Sequence, residues 1–547
     1  MKTFSSKNEE PPKEELPTAR QSSVPQSIVE PTIVEPTPLP ERTPVLEPDT
    51  EAPVNGFAEA EPLLDPAEIV EQAEEILREG APHDFDVLVI GGGPGGYVAA
   101  IRAAQLGAHV GLVEERELGG VCLNRGCIPT KTLLESVDVM RLLRRSAEYG
   151  IVTGGDIKPD FARMNARKRE VIEQMRAHVA HLLEESGVEV LAGRARFVEE
   201  HTMEISSTRS GDEATPPRQV SAVHIIIATG SLPSRLPVPG CDLPGVVTSD
   251  ELLGGEIRPR DVVVAGAGAV GVEFAYLFHE MGARAVLLEQ APTIMPQEDA
   301  DIGHGMTKIL TDLGIQILTD ASLERIEQTE GGLEVVYSRD GQEQRLKTES
   351  VLMATGRHAN TEHLDLDAVG IENEKGKILV GEQCQTNVSG VYAIGDCIRN
   401  VGWAHLASGE GTLVAEVVTK NPVTIDLTHV PSCYYTHPEI ASVGKTREQA
   451  ESEGIKTRAG VFSFRANGRA ASAGEHEGFV KVVVDDTTDK LLGCQIMGPR
   501  ATDLISEAVL ALKTGQTIDE MVGAIHAHPT FSEALPEAAL AARRSGG

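Results

Sequence analysis

Two cysteines in this sequence are placed for redox chemistry. Cys122 and Cys127 are separated by five positions and lie between a glycine pair and an Ile-Pro step. In a straight α-helix, positions five apart differ by about 7.5 Å along the axis, whereas a disulfide needs Cα atoms roughly 4.4–6.8 Å apart. The pair can therefore close only if the backbone turns tightly between the two residues, which Gly126 permits and Pro129 punctuates.

A disulfide that closes so small a loop adds little stability in the chain-entropy model. A redox role is therefore the better interpretation of a closed pair, and two unpaired buried thiols are the alternative that the spacing leaves open. We predict that the other cysteines are ordinary buried or surface thiols, namely Cys241, Cys384, Cys397, Cys433 and Cys494.

A histidine pair near the carboxyl end could supply a base for such chemistry. His526 and His528 are followed by Glu533. A thiolate, and not a thiol, attacks a disulfide, so a dithiol substrate at neutral pH needs a base, and histidine titrates in that range. A nearby carboxylate can fix the tautomer of the histidine.

The elements that would position these groups include a dinucleotide fingerprint. Length and β-branched content predict a buried strand at residues 85–90, followed by a glycine triplet and a helix over residues 97–106. A second strand over residues 109–113 ends in Glu114. A strand, glycine triplet, helix, strand and acid in this order are the context that a dinucleotide site requires.

Each glycine of the triplet has its own task. Gly91 makes the turn, Gly93 lets the backbone approach a pyrophosphate, and Gly96 lets helix and strand pack closely. The helix amino terminus then meets the phosphates, and Glu114 is placed to hold a ribose hydroxyl.

The fingerprint occurs a second time, after a predicted strand at residues 261–265 and before a second acid, Glu289. A carboxylate here accepts hydrogen bonds from a ribose 2′-hydroxyl and would repel a 2′-phosphate. No arginine cluster follows Glu289, and Arg284 precedes the strand. We therefore predict NAD rather than NADP. The glycines of this second triplet are Gly266, Gly268 and Gly271.

Length and charge limit the class of protein. The chain has 547 residues and a net charge of −34, from 83 acidic and 49 basic residues. Such a length predicts several domains, and such a surface disfavours nucleic acid and anionic membranes while suiting a basic partner. No apolar run is long enough to span a bilayer, and no signal or transit peptide is evident. We expect a cytoplasmic protein.

The amino-terminal region differs from the rest in composition. Residues 1–60 are rich in proline and glutamate, which predicts a disordered arm. A candidate helix, Asp65–Glu79, and a linker to residue 82 follow, and the helix carries one apolar stripe. The arm has no lipoyl-bearing Asp-Lys-Ala turn.

From about residue 85 to residue 542, the chain resembles the dihydrolipoyl dehydrogenases, within the pyridine nucleotide–disulfide oxidoreductase family. The resemblance is carried by the segment Gly119–Lys131, both glycine triplets, Ala-Ile-Gly-Asp396, and the segment His526–Glu533. It implies an α/β protein with two Rossmann-like dinucleotide-binding domains and an α+β carboxyl-terminal dimerisation domain. The implied divisions are 83–235 for FAD, 236–356 for NAD, 357–428 for FAD again, and 429–547 for dimerisation.

The resemblance also implies roles for individual residues. FAD lies on the first fingerprint and NAD on the second, and no metal ion is expected. Lys131 lies beside the flavin and pairs with Glu273, while Asp396 holds the ribitol. Ala404 and His405 lie near the pyrimidine edge of the flavin, although Gly402 and Trp403 replace the usual apolar pair before them. Further implied cofactor contacts are Ala195, Thr229, Gly230, Ser231 and Gly356.

The implied reaction is oxidation of protein-bound dihydrolipoamide by NAD. Cys122 exchanges with substrate, Cys127 faces the flavin, and His528, oriented by Glu533, is the base for the disulfide of the other subunit. A homodimer is therefore expected, serving lipoyl domains and an acyltransferase core in a 2-oxoacid dehydrogenase or glycine cleavage complex. His526 is the rival base, and we favour His528 because Pro529 and Glu533 match the family motif around it.

Three other functions can be compared with the implied reaction. A glutathione reductase would want arginines near Glu289 to favour NADP, and a mercuric reductase would carry a second cysteine pair at the carboxyl end. The sequence has neither feature. A non-catalytic flavoprotein or scaffold is disfavoured by the presence of both redox cysteines together with His528 and Glu533.

Overall fold

A computed structural model describes residues 83–208, 216–255, 260–399 and 402–544. The predicted arm at residues 1–60 and the predicted helix Asp65–Glu79 lie outside these residues. No helix in the described part of the chain combines the length and the apolar character needed to cross a bilayer.

The first part of the described chain forms a parallel sheet in the order β3-β2-β1-β6, continued at β6 by an antiparallel pair. Its elements are β1 (Phe85–Ile90), α1 (Pro94–Gln105), β2 (Val110–Glu114), α2 (Gly120–Arg125), α3 (Cys127–Arg144), α4 (Phe161–Glu185), β3 (Glu189–Ala192), β4 (Arg194–Glu199), β5 (Thr202–Ser206), β6 (Arg218–Ile227) and β7 (Ser231–Pro233).

The predicted elements recur here with shifted ends. The strand at residues 85–90 is as predicted, but the helix α1 begins at Pro94 because Gly93 is extended and proline suits a first helical turn. The apolar run at residues 225–231 predicts a buried strand that ends in a glycine turn. The observed β6 starts seven residues earlier, at Arg218, because its first residues pair with β5. The sequence also predicts a long helix over residues 161–186, and the observed α4 ends one residue earlier and is capped by Asp160.

The next segment repeats the same architecture, with parallel strands in the order β11-β10-β9-β15-β8 and a separate antiparallel sheet, β12-β13-β14. Its elements are β8 (Val246–Thr248), α5 (Ser249–Gly254), β9 (Asp261–Ala265), α6 (Ala269–Glu280), β10 (Arg284–Leu288), α7 (Ala300–Leu313), β11 (Gln316–Leu318), β12 (Ala321–Thr329), β13 (Gly332–Arg339), β14 (Gln342–Thr348) and β15 (Ser350–Met353).

The chain then returns to the first sheet, where the buried strand β19 pairs with β6 in parallel and α8 packs on α1. The elements of this return are β16 (Arg357–Ala359), β17 (Asn373–Glu374), β18 (Lys377–Ile378), β19 (Val391–Ala393) and α8 (Ala404–Val418).

The last part forms an antiparallel sheet in the order β20-β21-β24-β23-β22, with α11 and α13 packed on one face. Its elements are β20 (Ser432–Tyr434), β21 (Glu439–Gly444), α9 (Arg447–Ser452), β22 (Thr457–Ser463), α10 (Gly468–Ala473), β23 (Phe479–Asp485), β24 (Leu491–Gly498), α11 (Ala501–Lys513), α12 (Ile518–Gly523) and α13 (Ala534–Arg544).

One hydrophobic cluster joins three of these parts. Leu134 and Val137 of α3 pack in the same buried cluster as Tyr276 of α6 and Ile440 and Met497 of the last sheet. Burying such side chains stabilises the fold by about 1.5–3 kcal/mol each. Helix α3, which begins at Cys127, is therefore held against both the second nucleotide fold and the carboxyl-terminal sheet.

Candidate active site

Cys122 and Cys127 form a disulfide, with Cα atoms 4.6 Å apart. Cys122 lies within α2, and Cys127 is the first residue of α3. Gly126 lies between the two helices, and a Cβ there would lie only 3.1 Å from the Val121 carbonyl oxygen. The tight turn expected from the spacing is thus a break between two helices, made at a glycine.

A buried asparagine holds the disulfide segment in place. The Asn124 side-chain amide donates to the carbonyl oxygens of Leu118 and Gly120, at 3.0 and 2.9 Å. Its oxygen accepts from the Arg176 guanidinium of α4, at 2.7 Å. Sequence reasoning missed both residues, since nothing local links positions so far apart. The pair ties the loop between the cysteines to the long helix α4.

The disulfide opens into a cleft of about 550 Å³ that the first fingerprint also lines. Most of the predicted flavin contacts lie around this one cleft. It is lined by Gly91, Gly93, Glu114, Cys122, Cys127, Lys131, Ala195, Thr229, Gly230, Ser231, Glu273, Asp396, Ala404 and His405, among others.

The glycines of the first fingerprint have the geometry that their tasks require. Gly91 has a φ of +105°, which favours glycine. A Cβ at Gly96 would overlap the Gly91 carbonyl oxygen, so only glycine lets α1 approach β1. A Cβ at Gly93 would meet nothing nearer than Gly120 Cα, at 3.8 Å. The backbone at Gly93 is thus open to an approaching ligand.

The second fingerprint repeats this arrangement, and its residues Ala269 and Val270 line the same cleft. Gly266 has a φ of +98°, and a Cβ at Gly271 would overlap the Gly266 carbonyl oxygen. A Cβ at Gly268 would have no atom within 4 Å. Gly356, with a φ of +110°, ends the turn after β15.

The two terminal acids are held identically. Glu114 accepts hydrogen bonds from the backbone N–H groups of Gly92 and Arg116, at 2.7 and 2.8 Å. Glu289 accepts from those of Ala267 and Ala291, at 2.6 and 2.8 Å. Each carboxylate is oriented by the backbone and keeps lone pairs for ribose hydroxyls. Burial raises the pKa of Glu114, against the effect of its two backbone hydrogen bonds.

Arg284, which precedes the second acid by five residues in the sequence, is engaged elsewhere. Its guanidinium donates to Asp261 at 3.0 Å and to the Lys347 carbonyl oxygen at 2.9 Å. It is therefore not free to meet a 2′-phosphate, which agrees with NAD rather than NADP.

Lys131 pairs with Glu273 inside the cleft. The Lys131 ammonium donates to both carboxylate oxygens, at 2.9 and 3.0 Å, and the Glu273 side chain is almost fully buried. Tyr435 joins them, since its backbone N–H donates to Glu273 Oε1 at 2.9 Å and its ring lies 4.5 Å from Lys131 Nζ. Sequence reasoning found the pair but not the tyrosine.

Two hydrogen bonds and one ion pair lead from Asp396 to Asp250 of the second nucleotide fold. The Ser231 hydroxyl donates to Asp396 Oδ2 at 2.5 Å and accepts from Arg357 Nε at 2.7 Å. Arg357 Nη1 lies 3.6 Å from Asp250 Oδ1. Burial raises the pKa of Asp396, opposed by Ser231 and Arg357. Arg357 follows directly on the predicted Gly356, yet its reach to Ser231 could not be read from the sequence.

The departure at Gly402-Trp403 forms an aromatic corner of the cleft. The Trp403 ring stacks on His405, with ring centroids 5.8 Å apart, and meets Tyr434 edge-on. His405 Nε2 lies 2.8 Å from the Pro431 carbonyl oxygen. Cys433, predicted to be an ordinary thiol, also lines the cleft, and burial raises its pKa to about 11.

His528 and Glu533 meet at the opposite end of the chain. His528 Nδ1 lies 2.8 Å from Glu533 Oε1, and the imidazole is 77% exposed. Hydrogen bonds with the Thr530 backbone N–H and, to a lesser extent, with the His528 side chain lower the pKa of Glu533. The rival His526 is 11% exposed, with Nε2 on Glu507 and Nδ1 on the Ala524 carbonyl oxygen. Neither His528 nor Glu533 lines the cleft of its own chain.

The residues present fit a bound flavin nucleotide. Thr229 and Asp250 line the cleft, and within the described residues neither buried Thr229 Oγ1 nor buried Asp250 Oδ1 has a hydrogen-bond partner, although Asp250 Oδ1 is 3.6 Å from Arg357 Nη1. Buried polar atoms without partners are uncommon unless a ligand or water satisfies them. Together with the open backbone at Gly93, they make the cleft suitable for a large polar ligand.

Comparison with known proteins agrees with this geometry. Residues 85–411 match the model of the pyridine nucleotide-disulphide oxidoreductases, and residues 430–539 match the dimerisation domain of that family. A dihydrolipoyl dehydrogenase from Bacillus subtilis is 41% identical over 84% of this chain and 98% of its own length. One from Rhizobium etli is 38% identical over 83% and 97%.

Solved structures give the same picture. LpdA from Mycobacterium tuberculosis is 26% identical, covers 84% of this chain and 99% of its own, and superimposes with a TM-score of 0.76. The HOCl-induced flavoprotein disulfide reductase RclA from Escherichia coli is 27% identical over 83% and 99%, with a TM-score of 0.73.

The family and these relatives imply FAD and NAD(H) as cofactors and a homodimer as the assembly. Two fingerprints, a disulfide in the cleft of the first, and a separate carboxyl-terminal sheet are thus accounted for together. The chain belongs to the pyridine nucleotide-disulphide oxidoreductase family.

Proposed function

We propose that this protein oxidises dihydrolipoamide to lipoamide and reduces NAD to NADH, using the Cys122–Cys127 disulfide. The observation that carries the proposal is the disulfide itself, which lines one cleft together with the first glycine fingerprint, Lys131 and Asp396. The full-length similarity to dihydrolipoyl dehydrogenases supports the same substrate.

His528 acts as the base in this proposal. Its Nδ1 is held by Glu533, which leaves Nε2 to accept a proton from a substrate thiol. The carboxylate also stabilises the imidazolium that forms. The high exposure of His528 supports a role toward a group outside its own chain, whereas both ring nitrogens of His526 are occupied.

The exchange then proceeds in two balanced steps. The substrate thiolate attacks Cys122 Sγ, which breaks the Cys122–Cys127 bond, forms a mixed disulfide and releases the Cys127 thiolate. The second substrate thiol gives up its proton, and the resulting thiolate attacks the substrate sulfur of the mixed disulfide, which closes lipoamide and releases Cys122. The Cys122 sulfur takes up this second proton, while His528 holds the first. The substrate loses two electrons and two protons, and the protein disulfide gains both electrons.

The position of Cys127 favours its thiolate. It is the first residue of the 18-residue helix α3, and a helix amino terminus stabilises negative charge. Lys131 lies one turn further along the same helix and brings a positive charge to the same side. Both effects lower the free energy of the reduced pair.

Residues of the cleft and of the two fingerprints would hold FAD and NAD. In this proposal Glu114 binds the adenosine ribose of FAD, Asp396 binds its ribitol, and Glu289 binds the ribose of NAD. FAD, when bound, supplies a two-electron carrier between the dithiol and the nicotinamide. We propose FAD-binding segments 83–235 and 357–428, an NAD-binding segment 236–356 and a dimerisation segment 429–547.

We further propose that the enzyme serves a multienzyme complex. Its partners would be lipoyl domains and the acyltransferase core of a 2-oxoacid dehydrogenase complex, and its net charge of −34 suits docking to a basic segment. Such docking should weaken as the salt concentration rises, because surface charges are screened. Co-sedimentation of the enzyme with an acyltransferase core at low and high salt tests it.

Steady-state assays on the purified holoenzyme test the reaction. We expect dihydrolipoamide with NAD to give a kcat/KM at least about 100-fold above that for glutathione, or for dihydrolipoamide with NADP, since mismatched charged groups typically cost a few kcal/mol. Preference for glutathione and NADP would contradict the proposal.

A further inference from the structure

Tyr435 contacts both members of the ion pair in the cleft. It follows β20 of the last sheet, whereas Lys131 belongs to α3 and Glu273 to α6. The Lys131 ammonium lies 4.5 Å from the centroid of the Tyr435 ring, and the Tyr435 backbone N–H donates to Glu273 Oε1 at 2.9 Å. Three parts of the fold therefore meet at one aromatic residue.

The segment around Tyr435 is anchored on both sides. Tyr434 is buried and its hydroxyl donates to Glu298 Oε1 at 2.8 Å, and the buried Thr436 hydroxyl donates to the Pro438 carbonyl oxygen at 2.7 Å. Tyr435 itself is 37% exposed and lines the cleft. Its ring is therefore not a core contact, because the neighbouring residues already fix the backbone.

The ring face, and not the phenol oxygen, meets the cation. A cation over an aromatic face is attracted by the ring quadrupole. Burial raises the pKa of the Tyr435 phenol to about 12, so the ring is neutral near pH 7. The Lys131 ammonium is thus held by both carboxylate oxygens of Glu273 and by the face of the Tyr435 ring.

The location of this ammonium matters for the redox centre. Lys131 lies four residues after Cys127 on α3, so both side chains are on one side of the helix. A positive charge fixed there stabilises electrons added to the flavin or to the disulfide. Because a lysine side chain is flexible and strongly hydrated, it would move toward solvent unless several groups hold it.

We propose that Tyr435 is a positioning residue that fixes the Lys131 ammonium beside the redox centre through its ring face, and thereby raises the midpoint potential of that centre. The inference rests on the proposed redox function of the cleft. The segment that follows β20 would thus affect the midpoint potential of a centre whose two cysteines lie on α2 and α3.

The test compares Tyr435→Leu with Tyr435→Phe in the FAD-loaded dimer. Both variants keep the backbone N–H on Glu273, but only Phe keeps the ring face. We expect Tyr435→Leu to make two-electron reduction about threefold to tenfold less favourable, which is a fall of about 15–30 mV. Tyr435→Phe should stay within about twofold of the wild-type equilibrium constant. Midpoint potentials from flavin absorbance in redox titrations give both values.

Tyr149→Leu is a matched control. Tyr149 is 40% exposed, close to the 37% of Tyr435, and its hydroxyl donates to the Ala473 carbonyl oxygen outside the cleft. Its loss should leave the midpoint potential unchanged. A series of fluorinated phenylalanines at position 435 keeps the shape of the ring while weakening its negative face, so it decides the matter if Tyr435→Leu does not fold.

A potential that falls steadily with fluorination, and falls in Tyr435→Leu but not in Tyr149→Leu, supports the proposal. Equal potentials across the fluorinated series, or the same potential in Tyr435→Leu and the wild type, would overturn it. The measurement needs only the flavin and a reductant, so it remains decisive even if dihydrolipoamide is not the substrate.

Discussion

At the scale of single residues, the proposed exchange depends on two sulfur atoms with different neighbours. Cys122 lies in a short helix tied down by Asn124, whereas Cys127 begins α3 and has Lys131 one turn away. The helix amino terminus and the ammonium favour a thiolate at Cys127. The two cysteines should therefore play different parts in the exchange, although both are needed for it.

Replacing either cysteine by serine should abolish the dithiol reaction. We expect Cys122→Ser and Cys127→Ser each to lower kcat with dihydrolipoamide by at least about 1,000-fold, because a serine cannot form the mixed disulfide. Both should still retain flavin. The control is Cys241→Ser, a free thiol outside the cleft, which should keep full activity. Substantial turnover in either single variant would refute the exchange mechanism.

The two histidines should also differ. His528→Gln removes the proposed base, and we expect kcat/KM for dihydrolipoamide to fall by about 100-fold to 10,000-fold, the usual range for a lost general base. His526→Gln removes a histidine already held by Glu507 and should cost less than about tenfold. Assays from pH 6 to pH 9 measure both. A larger loss in His526→Gln would reverse the assignment.

At the scale of elements, each fingerprint packs a helix closely against a strand, and a glycine makes the close packing possible. Gly96 and Gly271 hold equivalent places, since a Cβ at either would overlap the carbonyl oxygen of the glycine five positions earlier. The overlap would push α1 from β1 or α6 from β9. Each helix amino terminus would then move away from the cofactor phosphates that we propose it binds.

The two glycines give a reciprocal test. Gly96→Ala should yield protein largely depleted of flavin, because it disturbs the first fingerprint alone. Gly271→Ala should retain flavin but raise the Kd for NADH by at least about tenfold, since typically 1–3 kcal/mol of overpacking strain falls on the second site. Flavin content by absorbance and NADH titration are the measurements. Equal losses of both cofactors in both variants would contradict the assignment.

Helix α3 is also clamped to the carboxyl-terminal sheet through Glu475. This carboxylate lies 3.2 Å from Arg141 Nη2 on α3 and 2.9 Å from His437 Nε2. Burial alone would raise the pKa of Glu475, but His437 and Arg141 outweigh it and lower the pKa to about 2. A carboxyl group with a lower pKa in the folded state stabilises the fold once it is ionised.

The clamp predicts a pH dependence of stability. Because the folded pKa of about 2 lies below the ordinary value of 4.5, the contribution is complete above pH 4.5 and is lost as the pH falls toward 2. Glu475→Gln should lower the free energy of unfolding by about 1–3 kcal/mol at pH 7, and by less at pH 3.5. Urea unfolding at the two pH values measures this. A penalty that grows on acidification would show that the clamp is absent.

Sequence patterns predicted the elements better than the contacts between them. The strands β1 and β9, both glycine turns, both acids and the break at Gly126 could be predicted because each follows from a local pattern. The start of β6 was missed, because its first residues are set by pairing with β5 and not by an apolar run.

Contacts between distant positions had no such local signal. The Arg357 contact with Ser231, the Tyr435 contact with Lys131 and the Asn124 contact with Arg176 each join separate elements. Family resemblance supplied the Lys131–Glu273 pair, but a single sequence contains no pattern that would bring Tyr435 beside it. These contacts arise only when the segments pack together.

At the scale of the whole molecule, the disulfide and its proposed base lie in separate places on the described chain. The disulfide lines the cleft, while His528 and Glu533 lie outside its lining, and the His528 imidazole is exposed. The match to a dimerisation domain implies a dimer, and we propose that each chain gives its histidine to the other across a twofold axis. We therefore propose that the redox disulfide and its base come from different chains.

Mixed dimers test this claim most directly. Cys122→Ser and His528→Gln homodimers are both expected to be inactive, and they are unfolded and refolded together with FAD at equal concentrations. If the base acts across the dimer, a mixed dimer has one intact site, and random pairing should restore about a quarter of wild-type activity. If the two groups act within one chain, every site lacks one of them. Activity that stays at the level of the separate variants, with mixed dimers verified by mass spectrometry, would contradict the account.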